Sequence, residues 1–168
     1  MKKLSFILMI IITTLSCNIN IFGSGGYTTK STPSNNSFKA YMSYKTITNT
    51  SSSQYKLQQR ATTGKYGIRT VNGRYCIAVG SYYTTTIGTK IDIIMENGNV
   101  IQCVLGDVKA DVHTDSLNRA NSNGCIVEFI VDIASLDSTC RRMGDMSYVS
   151  SDGLKGEIKY IRVYDEVI

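Results

Sequence analysis

The chain of 168 residues has no tryptophan, one proline and one histidine, and the motifs it lacks narrow its chemistry further. No cluster of Lys and Arg exceeds Arg141–Arg142, and none is interleaved with a row of aromatics, so the charge footprint of a nucleic-acid binder is absent. The formal net charge of +5 includes Lys2 and Lys3 of the N-terminal leader. The mild basicity that remains is that of an ordinary solvated surface, and it also suits an anionic cell wall. No Cys-x-x-Cys pair occurs, which excludes the closely paired thiolates of zinc modules. Gly-x-Ser-x-Gly, Walker and dinucleotide fingerprints are lacking, as is any evident Ser–His or Cys–His nucleophile arrangement. Gly23, Gly25 and Gly26 follow no strand and so make no phosphate loop. No cofactor is implied.

What is present begins with residues 1–22. Lys2 and Lys3 precede an apolar run through Phe6–Ile12, the order of a secretory signal. The run is short for a span of roughly 20 residues, although Ile19, Ile21 and Phe22 extend it. Three outcomes stay open: cleavage near Gly23–Gly26, an uncleaved anchor, or lipid on Cys17. Leu15-Ser16-Cys17 approximates a lipoprotein box, with Thr14 where Leu usually stands. Each outcome puts the rest of the chain outside the cytoplasmic membrane, secreted or at the cell surface, with membrane contact only through this segment. Residues 23–53 are dominated by Ser, Thr, Asn and Gly. Such a stretch buries too little apolar surface to offset its ordering entropy, and it reads as a flexible polar linker. Within it, Phe38–Tyr44 adds at most a loose strand.

Residues 54–168 form the domain. Abundant Tyr, Thr, Ile and Val favour pleated surfaces. Expected strands are Tyr55–Arg60, Gly67–Val71, Tyr75–Val79, Lys90–Met95, Val100–Leu105, Cys125–Val131 and Lys155–Val163. Asn72-Gly73, Asn97-Gly98, Asn123-Gly124 and Asp152-Gly153 supply turns between several of them. One helix is expected from about Asp132 to Arg142, with Arg141 and Arg142 suiting its C-terminus and Gly144 stopping it. The fold class is mainly β: a small six- to seven-stranded barrel with one short helix. Cys76, Cys103, Cys125 and Cys140 allow two disulfides in three connectivities, or four buried free thiols, and both readings stay open.

The stretch Gly106–Asp115 stands out. Directly after an apolar strand it carries Asp107, Asp111 and Asp115, the single His113, and Lys109. A further carboxylate, Asp132, closes the apolar strand Cys125–Val131, with Glu128 inside that run. A carboxyl at the end of a buried strand has its pKa raised towards the range of a general acid. Taken singly, Asp107 also suits a turn cap and Asp132 a helix N-cap. Asp111, His113 and Asp115 have ligand-like chemistry, but no metal motif such as His-Glu-x-x-His accompanies them, and no metal site is assigned.

Ala78-Val79-Gly80-Ser81, Ile87–Ile93, Glu96-Asn97-Gly98, Val104–Asp107 and Ile130-Val131-Asp132 together resemble a double-psi β-barrel. The likeness is to the 3D (three-aspartate) domain and to the barrels of rare lipoprotein A and membrane-bound lytic transglycosylase A, over roughly residues 75–165. It implies peptidoglycan, or another cell-wall glycan, as the partner. It also implies an Asp general acid that protonates the glycosidic oxygen before the sugar's own hydroxyl attacks, as in a lytic transglycosylase. By position, the resemblance makes Asp132 the acid and Asp107 its neighbour, with Lys109, Asp111, His113 and Asp115 assisting or binding substrate. Two family features are replaced: Asp107-Val108-Lys109 stands where Asp-Thr-Gly is usual, and Glu128-Phe129-Ile130-Val131 where a Lys-Gly-x-Arg stretch is usual. The rival expectation is a non-catalytic glycan- or protein-binding module on the same barrel.

Overall fold

The computed structural model describes residues 25–149 and 152–168; the leader, with Cys17, lies outside them. The strands are β1 (Tyr27–Ser31), β2 (Ala40–Ser43), β3 (Thr62–Thr63), β4 (Arg69–Val71), β5 (Arg74–Val79), β6 (Thr89–Met95), β7 (Val100–Val108), β8 (Glu128–Val131) and β9 (Ile158–Val167). The helices are α1 (Ser53–Arg60) and α2 (Ser138–Met143), with several 3-10 turns besides. The protein is therefore mainly β, as its composition indicates. No helix among the described residues is long and apolar enough to cross a membrane.

One mixed sheet runs β1-β9-β6-β7-β5-β4-β3 and does not close into a ring. Strand β5 is its junction. It lies parallel to β7 on one edge, while its other edge is shared by β4, at Arg74 and Tyr75, and β8, at Ile77 and Ala78. Strand β2 extends the branch, parallel to β8. Side chains alternate across the sheet with period two. Ile77, Ile91, Ile93, Cys103, Leu105, Phe129, Val131 and Ile161 enter the main core, where Leu136, Cys140, Met146 and Val149 cover them. Cys76, Val104 and Ile130 face the other way and pack under Leu57 of α1 and Ala61, which caps it.

Asn72-Gly73 makes the β4–β5 hairpin with both residues at positive φ (49° and 75°), as that turn requires. Three other expectations differ from the structure. Tyr55–Arg60 is helical, not extended: the Ser52 hydroxyl accepts the Tyr55 N–H at 3.1 Å, and Gln, Lys, Leu and Arg are good helix formers. The helix expected over 132–142 is split. Asp132 caps a 3-10 turn at Ile133–Ser135, Leu136 is extended, and Asp137 then caps α2 by accepting the N–H groups of Thr139 and Cys140.

The third difference is the polar linker, whose described part is ordered. Strand β1 pairs with β9 residue for residue, and Asn36 exchanges hydrogen bonds with both backbone groups of Ile158. Lys39 is fully buried, its Nζ donating to the carbonyls of Ser37 and Gly156, each at 2.8 Å. Backbone ladders and these two side chains supply the order that the segment's own apolar surface does not. Cys76, Cys103, Cys125 and Cys140 are free and buried.

Candidate functional site

A bulge at Gly106 sets the site. Between Ile77 and Ala78 the β5–β7 register shifts, so Leu105 faces Ile77 but Asp107 faces Ala78. A Cβ on Gly106 would stand 2.6 Å from Ile130 Cδ1, so any larger residue there requires the Ile130 side chain to shift. The extra residue brings Asp107 to the α1 side of the sheet. Ala78 pairs with Glu128 on its other edge, and Glu128 pairs in turn with Ala40. Paired residues share a face, so Asp107, Ala78, Glu128 and Ala40 form one row across four strands. The small Ala78 separates two carboxylates whose Cα atoms lie about 10 Å apart, two strand spacings.

Asp107 is partly enclosed. Its Oδ1 accepts the N–H of Val108 at 2.9 Å and the Gln54 side-chain amide at 3.4 Å. Burial pushes its carboxyl above the usual carboxylate range; the two hydrogen bonds oppose that shift and the charge of Glu128 adds to it. Beside it opens a cleft of about 270 Å³ lined by residues of the 46–54 loop. Glu128 lies 3.6 Å from Lys109 Nζ, their side chains 23% and 4% exposed. Lys109 also donates to the Cys125 carbonyl at 3.0 Å and to Asn121 Oδ1 at 3.1 Å, and its Nζ lies 3.5 Å from Cys125 Sγ.

No family model, curated protein or solved structure matches this chain. The site is therefore read from its own geometry.

The pairing of Asp107 with Asp132 is corrected. Asp107 stands level with Glu128 at the start of β8, whereas Asp132 lies past its far end, about 13 Å further along at 3.3 Å per residue. There the Asp132 carboxylate accepts the Ala134 N–H at 3.1 Å in an exposed turn, and its backbone N–H bonds the Gly67 carbonyl. Asp111 accepts the Ser81 hydroxyl at 2.7 Å. Asp115 binds the backbone and guanidinium of Arg119; burial acts to raise its carboxyl, but these Arg119 contacts prevail and hold it below the usual range. His113 is exposed and, with Asp115, lines a separate open cleft of about 480 Å³ beside Asn121, Ser122 and Asn123. Of the assisting residues, only Lys109 joins the carboxylate row directly. Among the described residues, no group of three or more His, Cys, Asp and Glu side chains could hold a metal ion.

Sequence reasoning missed Gln54 and Asn121 as site residues, and it noted Glu128 without giving it a role. Glu128 carried a signal: it is the one charged residue in the otherwise apolar run Cys125–Val131. Gln54 and Asn121 carried none, because one depends on helix α1 and the other on a loop folding back onto the sheet.

Proposed function

We propose that this is an exported, cell-wall-associated protein that cleaves the glycan strands of peptidoglycan, with Asp107 as general acid and Glu128 as the second carboxylate. The observation that supports this reading is the Asp107–Ala78–Glu128 row, whose Asp107 lines an open cleft. Unlike surroundings give the two carboxyls unlike roles: Asp107 is desolvated, and Glu128 stands beside the Lys109 nitrogen. Strand spacing lets carboxyls leaning over Ala78 approach within the roughly 5–9 Å that flanks a glycosidic centre. Asp107 gives its proton to the glycosidic oxygen as the bond to the anomeric carbon breaks. Glu128 stabilises the positive charge developing there. The sugar's own hydroxyl then attacks the same carbon and returns a proton to Asp107, leaving an anhydro product. On this reading the chain resembles the double-psi barrel lytic enzymes in chemistry, with Asp107 rather than Asp132 as the acid and Glu128 as its neighbour.

Digestion of purified peptidoglycan tests it. Anhydro-muropeptides are expected from the wild type and from Asp132→Asn, and not from Asp107→Asn. Their persistence in Asp107→Asn overturns the reading.

One observation favours the rival, a glycan-binding module. On β1 and β9, Arg162 lies between the rings of Tyr27 (5.1 Å) and Tyr160 (5.6 Å), and Tyr164 packs against Tyr27. Tyr27 is 52% exposed. Such rings offer flat apolar faces with polar tips to a sugar. Wall pull-down without turnover, lost in Tyr27→Ala, decides for that module.

A further inference from the structure

Two lysines are buried among the described residues, and they differ in what they touch. Lys39 meets backbone carbonyls through its amine, whereas Lys109 meets a carboxamide and a carboxylate. The Cys125 carbonyl is the template. It accepts Lys109 Nζ at 3.0 Å and the backbone N–H of Asn121 at 3.0 Å, so one atom fixes both partners side by side. The backbone bridge between Asn121 and Thr114 steadies the amide further. Lys109 Nζ then lies 3.1 Å from Asn121 Oδ1, with Glu128 Oε1 at 3.6 Å, and the lysine side chain is 4% exposed. A buried amine held in contact with a primary amide has an effective concentration far above any reached in solution.

We propose that Lys109 and Asn121 join in an intramolecular isopeptide bond, with Glu128 carrying the protons. Transfer of a proton from the Lys109 ammonium to Glu128 removes two charges from a poorly hydrated site. The neutral Nζ attacks Cγ of Asn121 and a bond forms between them. Glu128 gives its proton to Nδ2 as the Cγ–Nδ2 bond breaks, and ammonia departs. The second proton shed by Nζ returns to Glu128. One amide replaces another, no electrons are transferred, and no co-reactant is consumed. The product covalently closes the 12-residue separation between the end of β7 and the approach to β8. This inference goes beyond the glycan reading and does not depend on it.

Mass spectrometry of the purified full chain decides it. The expected mass is lower by one ammonia. The expected tryptic product is a branched peptide joining the segment that ends at Arg119 to the one that begins at Ala120, through Lys109 and Asn121. Lys109→Arg and Glu128→Gln are expected to keep the full mass and to lose the branched peptide completely. Should either variant misfold, the wild-type digest is sufficient by itself. Cleavage after Lys109 in the wild type, with no branched species, overturns the proposal. So does an ammonia loss traced instead to a succinimide at one of the Asn-Gly pairs. A linked chain that leaves glycan uncut, or an unlinked chain that cuts it, separates this bond from the glycan reading.

Discussion

The two ends of β8 each present a carboxylate, and they do different things. At the first, Glu128 faces Asp107 across Ala78 and lies 3.6 Å from a buried lysine. At the second, Asp132 turns to solvent and caps a 3-10 turn. Both residues end or begin a buried apolar strand, so that position alone does not create chemistry. The difference lies in the neighbours: strands and a bulge converge on Glu128, while the Asp132 carboxylate bonds the turn that follows it. Desolvation raises a carboxyl pKa, and beside the first end it does so for Asp107.

The sharpest way to break this comparison is Asp107→Asn. Removing the acid is expected to lower glycan cleavage by about 100-fold or more, read as muropeptide release, while Asp132→Asn leaves the rate unchanged. Cleavage is also expected to decline as pH rises through the elevated pKa of Asp107, because the acid form is lost. Equal losses in the two Asn variants would erase the distinction between the ends.

Next comes Lys109→Met, which removes the link to Asn121 and so reopens the loop between them. A loss of about 3 kcal/mol is expected, measured by urea unfolding. Lys39→Met sharpens the contrast one residue from the same row, since Ala40 pairs with Glu128. Burial lowers the Lys39 pKa to about 8, against the opposing pull of Asp145, Cys125 and Glu157. The native state therefore binds fewer protons than the unfolded chain between pH 8 and 10.5. Stability contributed by this group rises with pH across that window, and the penalty is fully present below it. Wild type is expected to gain up to about 3 kcal/mol from this group between pH 7.5 and 10.5, a gain absent in Lys39→Met. The smallest effect is at the far end of β8: Asp132→Ala loses a cap, worth about 1 kcal/mol, visible as a lower urea midpoint with cleavage intact.

Strands β4 to β7 and β9 were legible because their apolar runs are bounded by turn signals such as Asn72-Gly73. Strand β1 was not: Tyr27–Ser31 is polar and largely exposed, and its order comes from the ladder to β9, more than 120 residues away in sequence. Helix α1 was misread because Tyr55 and Leu57 mimic strand alternation, while Ser52 decides the matter by capping. Within the site, Asp107 and Lys109 were legible as polar residues directly after an apolar strand. Which carboxylate stands level with Asp107 was not legible, because sequence shows which carboxylates close strands but not which strand ends meet.

Composition and patterning by themselves determined a mainly β domain, the turns that punctuate it, the absence of a nucleic-acid footprint, and a concentration of ionisable groups after β7. These are local properties, set by side-chain chemistry and backbone preference over a few residues. Only the tertiary structure decided that Gly106 bulges, that Asp107 meets Glu128 rather than Asp132, and that Lys109 lies against Asn121. Register between distant strands fixes those contacts, and a shift of one residue would send each side chain to the opposite face.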